Sequence, residues 1–216
     1  MNNLETYINM EKESGKKGMG DKFEAAHVLT GVSVKMYDPN TNELIASGTS
    51  SNLHFRINGD EKRPIYCMFA IDGSVLDVVG EDDEFYHAKI NLSDDQIERL
   101  INEFGEQMFL VDPKAFIERV TAVFDENGYS YRAGLVRYDD YGVNSSKRLE
   151  SYRKQDTDIY FWKDEFFEYQ NEYRIVLTDQ EIEEPLIVNI GDISDISISF
   201  KASEFFNGKF ELHIKK

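Results

Sequence analysis

Ile65-Tyr66-Cys67-Met68-Phe69-Ala70-Ile71 is the stretch whose reading decides the fold. It is almost continuously apolar, as a strand must be when both of its faces are covered, and it therefore belongs in the middle of a sheet. Its neighbours follow. Leu53 to Ile57 reads as a strand reaching it through the polar turn Asn58-Gly59-Asp60-Glu61-Lys62. Upstream, Val28, Thr30, Val32, Val34 and Met36 alternate with the residues between them, as in a strand with one buried face. Asp38-Pro39-Asn40-Thr41-Asn42 turns that strand back into Glu43 to Ser47, closing a hairpin. Before it, Leu4, Ile8 and Glu11 stand at helical spacing in a short helix, which ends in the glycine-broken loop Gly15 to Asp21.

Downstream, Glu84 to Ile90 is a further strand. Ser93 then caps a helix carrying Asp94 and Asp95 at its positive end and Ile97, Leu100 and Ile101 on its apolar stripe. Gln107 to Val111 is a short strand, and Asp112-Pro113 opens the clearest helix of the chain. Phe116, Ile117, Val120, Val123 and Phe124 face inward from it, and Asn127-Gly128 stops it. Tyr129 to Tyr138 reads as a strand and Lys147 to Lys154 as a helix. Ile159 to Trp162, Glu172 to Leu177, Leu186 to Ile190, Ile196 to Phe200 and Phe210 to Ile214 read as strands. The sum is an α+β fold with a largely antiparallel sheet and three or four helices. No Pro-rich or Gly/Ser-rich linker divides the 216 residues, so residues 1–216 are expected to form a single domain.

Charge narrows the partners. The chain carries 41 Asp and Glu against 24 Lys and Arg, a formal net charge of −17. A nucleic-acid binder needs a basic face to displace counterions, and a membrane-surface protein needs cationic charge against anionic lipid. Direct nucleic-acid and membrane contact are therefore not expected, and a protein with a basic surface is. Fifteen Phe and twelve Tyr separate the chain from disordered acidic tails. One cysteine, Cys67, no basic-apolar leader in Met1 to Thr6, and no apolar run of the ~20 residues that span a bilayer point to a cytoplasmic protein.

The acidic residues cluster: Glu81, Asp82, Asp83 and Glu84 are consecutive, with Asp94, Asp95 and Glu98 close behind. A charge run is ordinarily a solvated face. As a functional surface, these seven carboxylates would occupy a basic groove on another protein, one that normally holds DNA or RNA, and would speed its capture. Neither this cluster nor a second one, Asp164 to Glu184, has the ligand spacing of a hand-type calcium loop. His27, His54, His87 and His213 lie far apart, with no short-range metal spacing to Cys67 or to each other, so no metal site is expected. Between Tyr129 and Tyr160 tyrosines and arginines interleave, a composition of single-strand grooves and of protein interfaces; the charge favours an interface.

One segment carries chemistry of its own. In Phe166-Phe167-Glu168-Tyr169-Gln170-Asn171-Glu172-Tyr173-Arg174-Ile175, a strand beginning by Gln170 puts Gln170, Glu172 and Arg174 on one face. The run, with Lys163 and the aromatic pair before it, resembles the late segment of a group of uncharacterised bacterial and phage proteins. Gly20-Asp21-Lys22-Phe23-Glu24 resembles a Gly-Asp-x-x-Glu segment of the same group. That resemblance implies a phage or mobile-element setting, in which the acidic surface would act as an inhibitor of a host defence protein. A strand-borne Gln-x-Glu also resembles the last motif of ADP-ribosyltransferases. This second resemblance implies NAD as cofactor, Glu172 as the catalytic glutamate, Gln170 orienting the acceptor, and His54 or Arg56 as the upstream NAD residue. The Ser-Thr-Ser or Tyr element of those enzymes has no counterpart placed in this chain, and Glu172 otherwise reads as half of a cross-strand ion pair with Arg174 or a neighbouring Lys. The alternatives separate on geometry: an enzyme needs a cleft where Glu172, an Arg or His and an aromatic converge, whereas the inhibitor needs one contiguous acidic face.

Overall fold

The computed structural model describes residues 1–206 and 210–216. In chain order the elements are β1 (Asn2–Asn3), α1 (Leu4–Ser14), β2 (His27–Tyr37), β3 (Leu44–Phe55), β4 (Pro64–Phe69), β5 (Leu76–Glu81), β6 (Phe85–Ile90), α2 (Asp94–Phe104), β7 (Gln107–Val111), α3 (Pro113–Asn127), β8 (Tyr131–Leu135), β9 (Arg137–Asp139), α4 (Ser146–Arg153), β10 (Trp162–Asp164), β11 (Glu172–Leu177), β12 (Ser197–Lys201), α5 (Ala202–Glu204) and β13 (Leu212–Lys215). Helices and antiparallel sheets mix, as the α+β reading requires. The β-structure is divided, however, among several small sheets: β1-β4-β11-β8, β13-β6-β5, and the pairs β2-β3, β12-β7 and β10-β9. All but β10-β9 pair antiparallel.

The apolar run of β4 lies inside the four-stranded sheet, between β1 and β11. Its inner neighbour β11 is the more deeply buried: Arg174, Ile175, Val176 and Leu177 are each 2 % exposed or less. In register, Cys67 of β4 faces Arg174 of β11. Helix α3 covers one side of the sheet. Asp112 caps it by accepting from the Ala115 amide at 2.7 Å, Pro113 fills its first turn, and Gly128 ends it at φ 68°. Its Phe116, Val120 and Phe124 cluster with Ile175 and Leu177, while Ile117 and Val123 are half-buried. A second cluster joins Leu4 of α1 to Ile65, Val176 and the turn Ile159 to Phe161.

Four expectations change. Glu43 to Ser47 and Leu53 to Ile57 are two ends of one strand, β3, because the Ser/Thr-rich segment between them stays paired with β2. Ile159 to Trp162 winds as a 3₁₀ turn over Thr157–Phe161, with the Asp156 side chain capping it, before β10 starts. Tyr129 to Tyr138 is broken at Val136, so its second half leaves the main sheet and pairs parallel with β10. Leu186 to Ile190 makes no ladder; it is anchored to the chain start by reciprocal bonds between Met1 and Leu186, and it packs on the α3 cluster. The apolar alternation in that segment reports burial against a helix, which a paired strand would also have produced.

Candidate functional site

The site is assembled from residues 18–24, Cys67, Lys163 and the segment Gln170 to Arg174. Gly20 is where the first of these presses against α1: a Cβ there would lie 2.5 Å from the Tyr7 carbonyl oxygen and 2.6 Å from the Glu11 amide nitrogen. Only glycine permits that approach. The tight turn that follows delivers Glu24 inward, 2 % exposed. Gln170 ends a 3₁₀ turn over Glu165–Gln170 rather than lying on a strand, and Asn171, at φ 34°, makes the left-handed step into β11. Gln170, Glu172 and Arg174 converge nonetheless, because Lys163 of β10 reaches across to them.

The ionic network is dense. Arg174, the largest fully buried side chain among the described residues, meets Glu24 in a two-pronged pair, Nη1 to Oε2 at 2.8 Å and Nη2 to Oε1 at 2.7 Å. Its Nε donates to Glu172 Oε1, its Nη2 also reaches Glu172 Oε2 at 3.3 Å, and its Nη1 donates to the Tyr160 carbonyl at 2.7 Å. Lys163 Nζ donates to Gln170 Oε1 at 2.7 Å and Glu172 Oε2 at 3.0 Å, and stands 3.6 Å from Glu24 Oε1. The Gln170 amide nitrogen donates to the Gly18 carbonyl at 3.1 Å, and Tyr138 Oη accepts from the Glu172 backbone amide at 2.9 Å.

Burial opposes charge on Glu172, Lys163 and Arg174, and the pairing reverses it. Desolvation alone would raise the Glu172 carboxyl, but Arg174 and Lys163 hold it far below the usual carboxylate range. Desolvation would lower Lys163, and the charges of Glu172 and Glu24 raise it instead. Asp21 is the exception: burial, then the charge of Glu24, push it up to about 7. Burial, then Glu172, push the Cys67 thiol well above its ordinary value, so it is no thiolate nucleophile.

Above this floor lies a cavity of about 280 Å³. Glu24, Cys67, Lys163, Gln170, Glu172, Arg174 and Tyr7 form its polar side; Met19, Met68, Phe69, Leu100, Phe104 and Met108 are among its apolar walls. Glu172, an arginine and an aromatic thus meet in one cleft. His54 and Arg56 do not line it. Arg56 instead braces the turn from behind, donating through Nε to the Glu24 carbonyl at 2.6 Å and through Nη2 to the Lys22 carbonyl, and His54 packs edge-on against Phe23 at 5.3 Å.

Glu81, Asp82, Asp83, Glu84, Asp94, Asp95 and Glu98 are all exposed. The β5-β6 hairpin separates them into two groups: Glu81 to Glu84 form its tip, while Asp94, Asp95 and Glu98 begin α2 beyond its base. At the tip Glu81 pairs with Lys216 at 3.0 Å and Asp82 with His87 at 2.9 Å. The interleaved arginines are engaged internally: Arg132 and Arg137 with Asp158, Arg148 with Asp139, and Arg137 over Trp162 at 4.3 Å. The sequence reading missed Lys163, Glu24 and Asp21 as site members. The signal was present in the Gly-Asp-x-x-Glu and Lys-aromatic segments, whose charged residues share one buried cluster.

Comparison with protein-family models, with curated proteins and with solved structures finds no match for this chain.

Proposed function

We propose that the chain is a ligand-binding protein whose cavity takes a small molecule with an apolar body and a hydrogen-bond-donating head, an alcohol or an amine. One observation carries this reading: an apolar-walled cavity ends on a buried ionic floor whose cationic N–H donors are nearly all spent on the protein's own acceptors. All five N–H bonds of Arg174 and two of the three of Lys163 go to the acceptors around them, with Glu24 Oε1 3.6 Å from the Lys163 nitrogen, whereas two carboxylates offer about four lone-pair sites each. The unspent capacity is for accepting. At about 280 Å³ the cavity sits near the lower end of the ~300–1,000 Å³ common for small-molecule sites.

The test uses three probes of equal chain length: hexanol, hexylamine and hexanoate. The first two are expected to shift the methyl NMR signals of Met19, Met68 and Met108 and to leave those of Met10 and Met36, outside the cavity, in place. No shift with any probe, or a preference for hexanoate, overturns the reading.

An NAD-using ADP-ribosyltransferase, with Glu172 catalytic and Gln170 orienting the acceptor, would occupy the same cleft. The engagement of Glu172 by Arg174 and Lys163 favours the binding reading, since that carboxylate must otherwise be free to take a ribose hydroxyl. Glu172→Gln separates them: a transferase loses NAD cleavage, whereas a structural carboxylate yields a stability loss of roughly 3–5 kcal/mol, from two buried cations left short of charge, with no NAD chemistry to lose.

A second reading rests on the surface. Seven exposed carboxylates and a net charge of −17 support a one-domain, cytoplasmic inhibitor of phage or mobile-element type that docks on a basic, nucleic-acid-binding face of a host defence protein. The free thiol of Cys67 suits that reducing compartment. A pull-down from the native host, read by mass spectrometry, tests it; recovery of no basic protein counts against it.

A further inference from the structure

His87 and His213, far apart in sequence, are direct cross-strand partners in the β6-β13 ladder. Side chains at opposed positions emerge on the same face, and the two rings stack with centroids 4.5 Å apart and planes 15° from parallel. Glu211, two residues before His213, joins that face. Its Oε1 lies 3.2 Å from His87 Nδ1 and 3.1 Å from His213 Nε2. Among the described residues this is the one group of three metal-type side chains whose ligand atoms all fall within 4.8 Å of one another.

Those separations have a chemical meaning. A tetrahedral zinc ion with bonds of ~2.0–2.2 Å holds its ligand atoms roughly 3.3 Å apart, close to both nitrogen–oxygen distances. A fourth residue sets the histidine. Asp82 Oδ2 stands 2.9 Å from His87 Nε2, and its Oδ1 is pinned by the backbone amides of Glu84 and Phe85, each at 2.8 Å. With a metal bound, this carboxylate would hold the His87 proton on Nε2 and leave the Nδ1 lone pair for the ion, on the side of Glu211 and His213. A carboxylate on the far nitrogen of a ligating histidine orients the ring and raises its basicity. The neighbouring carboxylates of Asp83 and Glu84 add negative potential that concentrates cations at the hairpin tip.

We propose that His87, Glu211 and His213 form a site for a divalent transition-metal cation of the zinc class, with Asp82 as the residue that orients His87. Two imidazoles and a carboxylate are the donor set that zinc accepts, and a water completes the tetrahedron. Calcium and magnesium, which favour oxygen ligands, are poorly served by it. Because two ligands come from the last strand and its lead-in and one from the hairpin, the bound ion ties β13 to β6, and the folded chain gains stability in proportion to the metal's occupancy.

The experiment uses untagged, chelator-stripped full-length protein titrated with zinc chloride by calorimetry in a large excess of magnesium. One saturable site is expected. His87→Ala and His213→Ala each weaken binding at least tenfold, and Asp82→Asn weakens it about tenfold as an orienting residue does. Cobalt in place of zinc is expected to give the visible absorption of a four-coordinate site, lost in His213→Ala. In the wild type, zinc must shift the imidazole NMR signals of His87 and His213 and leave those of His27 and His54 in place, which requires no variant to fold. Non-saturating uptake, displacement by magnesium, or a response shared by all four histidines reduces the cluster to diffuse attraction by an acidic surface and overturns the proposal.

Discussion

Asp21 is 1 % exposed, and only one of its two carboxylate oxygens is bonded: Oδ1 accepts from the Phe23 amide at 2.8 Å, while Oδ2 has no partner among the described residues. Burial first, and the Glu24 carboxylate second, raise its pKa to about 7, against an ordinary value near 4. Between those two values the folded chain binds a proton that the unfolded chain has released. This group's contribution to stability is therefore full below about pH 4, falls as pH rises toward 7 and stays low above it. Glu172 acts in the opposite sense: its depressed pKa makes its contribution present above the ordinary carboxylate range and lost in acid. Asp21→Asn, neutral at every pH, is expected to match the wild type at pH 4 and to exceed it at pH 8 by about 1–4 kcal/mol, at ~1.4 kcal/mol per pKa unit. Denaturant midpoints of both proteins across that range measure the difference, from which the other titrating groups cancel. A variant weaker than wild type at pH 8 would show that Asp21 works there as a paired anion.

At the scale of elements, α3 is held by its ends and its stripe together. Phe116, 6 % exposed, lies in the cluster with Ile175 and Leu177, its ring 6.0 Å from that of Tyr66 on β4. Phe116→Ala is expected to cost on the order of 3–5 kcal/mol, read as a lowered denaturation midpoint, since the neighbouring strands cannot close over the lost volume. This helix was legible in the sequence because its signals are local: an Asp-Pro start, an Asn-Gly stop and a 3.6-residue stripe agree. Strands were legible where alternation was long, as in β2, and also where a short β-rich run was bounded by turn or capping residues, as in Gln107 to Val111 and Glu172 to Leu177. Leu186 to Ile190 misled because its apolar residues pack on α3 without a strand partner, and Thr157 to Phe161 because an Asp156 side chain outbids an extended backbone. The site followed the same rule. Glu172 beside Arg174 was readable two residues apart; Glu24 and Lys163 stood in segments that could be singled out, but that these segments meet, like the His87–His213 pairing, depends on long-range contacts that spacing along the chain does not give.

For the whole molecule the governing quantity is charge and where the fold puts it. A run such as Glu81 to Glu84 is adjacent to Asp94 in sequence, yet β6 stands between them. Its six residues span roughly 17 Å at ~3.3 Å per residue. That exceeds the ~8 Å screening length of physiological salt, so charges at the two ends of β6 are largely screened from each other. The tip is further muted by Lys216, which pairs with Glu81, while Asp94 and Asp95 are offset only by the partial positive charge, about half a unit, at the start of α2. A basic partner that meets one patch need not meet the other. Reversing Asp94, Asp95 and Glu98 to lysine is therefore expected to slow association with a basic protein captured from the host several-fold and to flatten its salt dependence. Reversing Asp83 and Glu84 has the smaller effect, because part of the charge around them is already neutralised. Stopped-flow rates at 0.05 and 0.3 M salt, both on the order of the screening range, measure both. Equal rates for the wild type and both variants would leave the surface charge with the role of keeping the folded chain in solution, and the cavity above Glu172 and Arg174 as the functional centre.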